Sequence, residues 1–313
     1  MTEPAIAATG LRKSYGDKIV LDGVDLAVAQ GTIFSLLGPN GAGKTTIVKI
    51  LSTLITADSG RMRVAGHDPA DDPDAVRAAI GVTGQYSAVD NLLTGRENLA
   101  LMGDLHHLGR AASRRRADEL LERFDLVEAG RKPAATYSGG MRRRLDLAMT
   151  LVGSPAVIFL DEPTTGLDPR SRRTMWQAIR ELVAGGVTIF LTTQYLEEAD
   201  QLADRIAVLD HGRLIAEGTA DELKRLIPGG HIRLRFADPA AVSTAVHALH
   251  DAALGDDGLS LRIPSDGGVR SMRDLFARLD DLSIEVEEMS VHTPDLDDVF
   301  LTLTGRHDKE PQR

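Results

Sequence analysis

Apolar and polar positions alternate with period two at the start of the chain: Leu11 and Tyr15, then 19–21, then 24–28. That rhythm predicts antiparallel strands. The pattern then changes to short, wholly apolar runs. Ile33–Leu37 reads as a buried strand, and Ile47, Val48, Ile50, Leu51, Leu54 and Ile55 form the one-sided stripe of a helix laid on a sheet. A further strand is predicted over 61–65, closed by Gly66, and a helix-rich insertion from about 97 to 152. Beyond it, strand and helix patterns alternate: 157–160, 170–183, 187–191, 196–202 and 205–209, with a hairpin turning through His211 and Gly212. Such an order belongs to a mainly parallel sheet with helices on both faces.

Pro228, Gly229 and Gly230 interrupt this periodicity and mark a boundary, giving domains of 1–228 and 229–305. The second part reads strand 232–236, helix 240–250, strand 259–263, helix 269–279, strand 284–289 and helix 296–303. That is a small α+β sandwich. The polar residues 306–313 read as a fraying tail.

Composition narrows the possibilities. The 313 residues are 42% hydrophobic, ample for two cores of unequal size. A net charge of −10 and a pI near 5.4 argue against a nucleic-acid partner. The two arginine triplets, 114–116 and 142–144, fall in helical patterns and are better read as solvated faces or local ion pairs. The absence of cysteine excludes disulfides, a thiol nucleophile and thiolate-bound zinc. No run of 18 apolar residues spans a bilayer, and the first ten residues lack the basic start of a secretory signal. If the protein works at a membrane, another chain must hold it there. His106 and His107 are adjacent and cannot share one helical face as metal ligands, so surface helix positions explain them. Trp176 reads as a packing residue.

Chemistry concentrates in two places. Gly38, Pro39, Asn40, Gly41, Ala42, Gly43, Lys44 and Thr45 match GxxxxGK[ST], and they lie between the predicted strand and helix as that motif requires. Glycines let backbone N–H groups turn toward phosphate oxygens, and the helix start adds its positive dipole end. Lys44 then bridges the β- and γ-phosphates of ATP, Thr45 ligates the accompanying Mg2+, and Thr46 caps or packs the first turn. At the end of the apolar run 157–160 stand Asp161 and Glu162. Ligands bind at such strand ends. Asp161 suits a hard cation, and Glu162 can polarise or orient an attacking water.

With Ser138, Gly139 and Gly140 between these two elements, the chain resembles the nucleotide-binding subunit of an ABC transporter over residues 5–227. The resemblance implies a P-loop NTPase fold of the ABC ATPase type, with a parallel core, an antiparallel β subdomain and a helical insertion. It implies that Tyr15 stacks on adenine and that Gln85 reaches the metal and attacking water while facing the membrane subunit. It also implies that Ser138, Gly139 and Gly140 clasp the γ-phosphate of ATP held by a second copy, head to tail, with Asp168 communicating across the seam. Residues 192–200 and 296–305 are similar to drug-export subunits of the daunorubicin-resistance type. A peripheral protein on the cytoplasmic face of the membrane, partnered by an integral permease, is therefore expected. The alternative, a soluble ABC-type ATPase of translation or DNA repair, fits less well, since there is one phosphate loop and no sustained heptad pattern.

Three positions depart from the usual family pattern. Tyr137 and Met141 replace the leucine and glutamine that flank the Ser-Gly-Gly. Gln194 takes the place of a histidine that contacts the γ-phosphate. Its amide can donate a hydrogen bond but cannot acquire charge, so γ-phosphate sensing with slow turnover is expected.

Overall fold

The run 157–160 is apolar on both sides because it faces two cores. In the computed structural model, Ile158 and Leu160 join one buried cluster, while Val157 and Phe159 join another. The structure describes residues 3–84, 87–227, 230–249, 251–255, 257–265, 268–282, 284–292 and 294–307. Two compact units divide at Ala220 and Asp221. Pro228 and Gly229, where the sequence suggests the break, lie outside the described residues.

In the first unit, β1 (Ile6–Tyr15) pairs antiparallel with β2 (Lys18–Val28). Next come β3 (Ile33–Leu37), α1 (Lys44–Leu51) and β4 (Ser59–Val64), the last completing a three-stranded antiparallel sheet on β1. Helix α2 (Pro73–Ala79) leads directly into β5 (Ile80–Thr83). The helical insertion consists of α3 (Gly95–Leu105), α4 (Arg110–Arg123) and α5 (Gly139–Thr150). Then follow β6 (Val157–Asp161), α6 (Pro169–Ala184), β7 (Thr188–Thr193), α7 (Leu196–Leu202), β8 (Arg205–Asp210) and β9 (Arg213–Gly218).

The main sheet runs β5-β6-β7-β3-β8-β9, parallel except for β9. One face packs on residues from α3, α4, α5 and α6, and the other on α1 and the antiparallel sheet. Phe34, Phe159 and Phe190, from three adjacent strands, hold the second face together with ring centroids 5.5 Å apart. Burial on both faces explains why these strands are continuously apolar rather than alternating.

The second unit opens with α8 (Ala220–Lys224), within whose first turn the division falls. It contains β10 (His231–Arg235), α9 (Pro239–Ala248), β11 (Ala253–Leu254), β12 (Ser260–Pro264), α10 (Val269–Asp281), β13 (Glu288–His292) and α11 (Leu296–His307). Its antiparallel sheet has the order β11-β12-β10-β13. Ile232, Leu234 and Leu261 point from the strands into a core shared with Val242, Leu275 and Leu279. On the opposite face Arg233 pairs with Asp257, whose carboxyl is lowered to about 2, chiefly by the Ser260 hydroxyl.

Four expectations need correction. Helix α1 ends at Leu51, Thr53 has φ 65°, and Leu54 is 66% exposed, so the apolar stripe outruns the helix. Strand β13 begins at Glu288; Ile284 and Val286 pack against the second core from outside any strand. Helix α11 continues to His307, past the expected onset of the tail at 306. His106 caps the end of α3 and His107 follows with φ 56°, so both stand beyond the helix.

Candidate nucleotide site

The phosphate loop leaves the C-terminal end of β3 and enters α1. Two of its glycines are dictated by space. A Cβ on Gly38 would run into the Leu209 carbonyl oxygen, and one on Gly43, at φ 113°, would stand 2.7 Å from Leu21 Cδ2. Gly43 also holds the N-cap position of α1 with no side-chain cap, so Thr46 is a half-buried first-turn residue and not the cap. The first N–H groups of α1 therefore remain open to an anion.

Lys44 is buried. Its ammonium donates to the carbonyl oxygens of Gly38 at 2.7 Å and Pro39 at 3.2 Å. Burial pulls its pKa down, opposed by the negative charges of Glu162 and Asp161.

Parallel register brings the acidic residues to the same edge. Leu37 lies beside Thr193, and Asp161 beside Thr192. Asp161 is 4% exposed; one oxygen accepts from the Thr192 hydroxyl and the other from Thr45 Oγ1 at 3.1 Å. Glu162 is 8% exposed and has φ 50°, a left-handed conformation that costs a non-glycine residue roughly 1–2 kcal/mol. Its backbone N–H donates to Thr192 O at 3.0 Å, and its carboxylate accepts a long bond of 3.4 Å from Thr165 Oγ1. Gln194 stands half-buried one residue beyond β7, on the same edge. Gln85 lies outside the described residues.

Ser138 caps α5, its hydroxyl accepting from Met141 N at 3.2 Å. Gly139 and Gly140 form the first turn. Asp168 caps α6 by accepting from Arg170 N, Ser171 N and Ser171 Oγ, and the Ser171 hydroxyl contributes most to holding its carboxyl below the ordinary range. Ser138, Gly140, Met141, Arg144, Arg170 and Ser171 line one groove. Among the described residues, no hydrogen bond joins Ser138 or Asp168 to the phosphate loop. Tyr15 ends β1 and is 51% exposed, with Lys13 Nζ 5.5 Å from its ring centroid. Tyr137, by contrast, is packed: its hydroxyl donates to Ala129 O at 2.7 Å, and burial pushes its pKa up.

Sequence reasoning missed three participants. Thr192 is hidden in an apolar strand, yet it orients Asp161. Arg143, in a triplet read as a solvated face or local ion pairs, does form a local ion pair with Asp146, but it is largely buried and also reaches inward to backbone carbonyls. Its Nε donates to Pro163 O at 2.8 Å, Nη1 to Gly84 O and Asp146 Oδ2 at 3.0 Å, and Nη2 to Asp161 O at 3.4 Å. Burial pushes Asp146 up and Arg143 down, each opposed by its partner's charge. Glu198 is fully buried, accepting from Thr164 Oγ1 at 2.7 Å and from Trp176 Nε1 at 3.0 Å, so Trp176 also makes a polar contact. Burial raises the Glu198 pKa. Nothing in the spacing of Glu198 announces this contact.

Residues 21–165 match the family described as ABC transporter. Over 307 residues the chain is 53% identical to daunorubicin resistance ATP-binding protein DrrA3 of Streptomyces coeruleorubidus, covering 97% of each chain. It is 49% identical over 312 residues to daunorubicin/doxorubicin resistance ATP-binding protein DrrA of Streptomyces peucetius, covering 97% of this chain and 94% of that one. A solved ATP-binding subunit of an ABC transporter shares 29% identity at a TM-score of 0.64, over 71% of this chain and 92% of the other.

Proposed function

The chain belongs to the ABC transporter family as an ATP-binding subunit, and we propose that two copies close head to tail around ATP to drive export of a drug-like or antibiotic-like molecule through a separate membrane permease. ATP hydrolysis is the activity of this class of subunit. The chemical class of the exported molecule is taken from the daunorubicin- and doxorubicin-resistance relatives. Among the described residues no helix is long and apolar enough to cross a membrane, so in this reading the permease supplies the crossing and the chain docks on its cytoplasmic face.

One observation carries the reading: Lys44, Thr45, Asp161 and Glu162 converge at the C-terminal edge of a parallel sheet. Backbone N–H groups of residues 38–46 cradle the phosphates, and Lys44 shifts from the loop carbonyls toward the β- and γ-oxygens. Tyr15, exposed at a strand end, offers a platform for adenine. The two hard oxygens of Thr45 and Asp161, already within hydrogen-bond distance, fit Mg2+; when bound it neutralises charge building on the phosphates. Glu162 orients or deprotonates the attacking water, with Gln194 and Gln85 completing contacts around the γ-phosphate. Ser138, Gly139, Gly140 and Asp168 serve ATP on the opposite copy, which is consistent with their separation from the phosphate loop.

Glu162→Gln tests this. The variant keeps the shape of the site but cannot accept a proton, so it should bind ATP, hydrolyse it at a small fraction of the normal rate and accumulate as an ATP-dependent dimer. Light scattering that shows a monomer at saturating MgATP would refute head-to-tail closure.

A further inference from the structure

We propose that Arg143 is a positioning residue for hydrolysis, its guanidinium gripping the backbone on both sides of Glu162 while Asp146 anchors it. The inference rests on Glu162 being the residue that acts on water. Two of the carbonyls that Arg143 holds, those of Asp161 and Pro163, immediately bracket Glu162. A residue at φ 50° persists only where its surroundings over-determine it, and a planar fork that catches the carbonyls before and after it supplies that constraint. Glu198 accepts from Thr164, so residues of α5 and of α7 both hold the turn.

Asp146 does more than balance charge. It accepts from Arg143 Nη1 and, with its other oxygen, from Ala88 N at 3.0 Å, while the same Nη1 reaches Gly84 O. The pair therefore ties α5 to the end of β5 and to the end of β6. An ion pair this buried contributes little net stability relative to apolar residues of the same size. What it adds is direction: each hydrogen bond ends on backbone next to the site.

Lysine at 143 keeps the charge but delivers it as a point, so it cannot hold both carbonyls. In the full-length protein, Arg143→Lys should lower kcat for MgATP about tenfold, with KM within about twofold of the wild type and the thermal midpoint within about 2 °C. Because breaking the pair can destabilise the fold, Arg143→Met combined with Asp146→Leu serves as a second variant; assayed well below its own thermal midpoint, it should still show a kcat about tenfold down. The proposal is overturned if either folded variant retains kcat within about twofold, or if lost activity tracks a raised KM or a lowered midpoint. Glu162→Gln, run alongside, separates the two ideas. If it turns over ATP like the wild type, the role of Glu162 fails and this inference with it. If it is inactive while both Arg143 variants are normal, only the inference fails.

Discussion

Glu162 carries backbone strain that two substitutions can expose. Glu162→Ala and Glu162→Gly both delete the carboxylate and the 3.4 Å bond from Thr165, so both should abolish hydrolysis, and those losses cancel in a comparison of the two. They differ in the unfolded chain, where glycine is more disordered and ordinarily makes a protein about 0.4–1 kcal/mol less stable than alanine. They also differ in the folded state. At φ 50° alanine pays roughly 1–2 kcal/mol and glycine almost nothing. The second difference exceeds the first, so the glycine variant should be the more stable by about 0.5–1 kcal/mol. Trp176 is the chain's only tryptophan and is buried on α6, so its fluorescence reports urea unfolding of the first unit. With a slope of about 2–3 kcal/mol per molar urea, the midpoints should differ by roughly 0.2–0.5 M. An alanine variant that outlasts the glycine variant would show that the turn imposes no strain at this position.

Three further outcomes follow from the site and its supports. A methyl group on Gly95 would collide with the Tyr137 hydroxyl, with Cζ next at 3.3 Å, so Gly95→Ala should cost about 1–3 kcal/mol in urea unfolding. Adding Tyr137→Phe should recover about 1 kcal/mol of that, and strictly additive effects would remove the proposed contact. Gln194→Ala should hydrolyse ATP more slowly than the wild type in the assembled transporter; an equal rate means that the amide plays no part. Glu198, with its pKa raised in the fold, contributes stability that is present at acid pH and is lost as pH rises through the raised value. Thermal midpoints of Glu198→Gln should accordingly fall less than those of the wild type between about pH 5 and pH 8, and parallel curves would contradict the assignment.

How much of this was legible from residue order alone varied by kind of feature. The glycine-rich loop was readable because its pattern is local: the glycines, Lys44 and Thr45 fall within one strand-to-helix turn. Asp161 and Glu162 were readable because a run buried on both faces that ends in two acids leaves few alternatives. Helix ends were less legible. Leu54 continues the apolar spacing of α1, yet the helix stops at Leu51, since spacing does not record where the chain turns.

Local pattern thus determined the order of elements, the glycine-rich turn into α1 and the acids at the strand end. Tertiary structure alone decided which distant side chains serve them. Thr192 meets Asp161 only because β6 and β7 pair in one register, 31 residues apart in the chain. Arg143 turns inward only because α5 packs where the carbonyls of Asp161 and Pro163 need a donor. Glu198 finds Thr164 and Trp176 across separations of 34 and 22 residues. Periodicity encodes which face of an element is apolar, but polar partnerships inside the fold depend on register and packing, and these exist only once the chain has closed on itself.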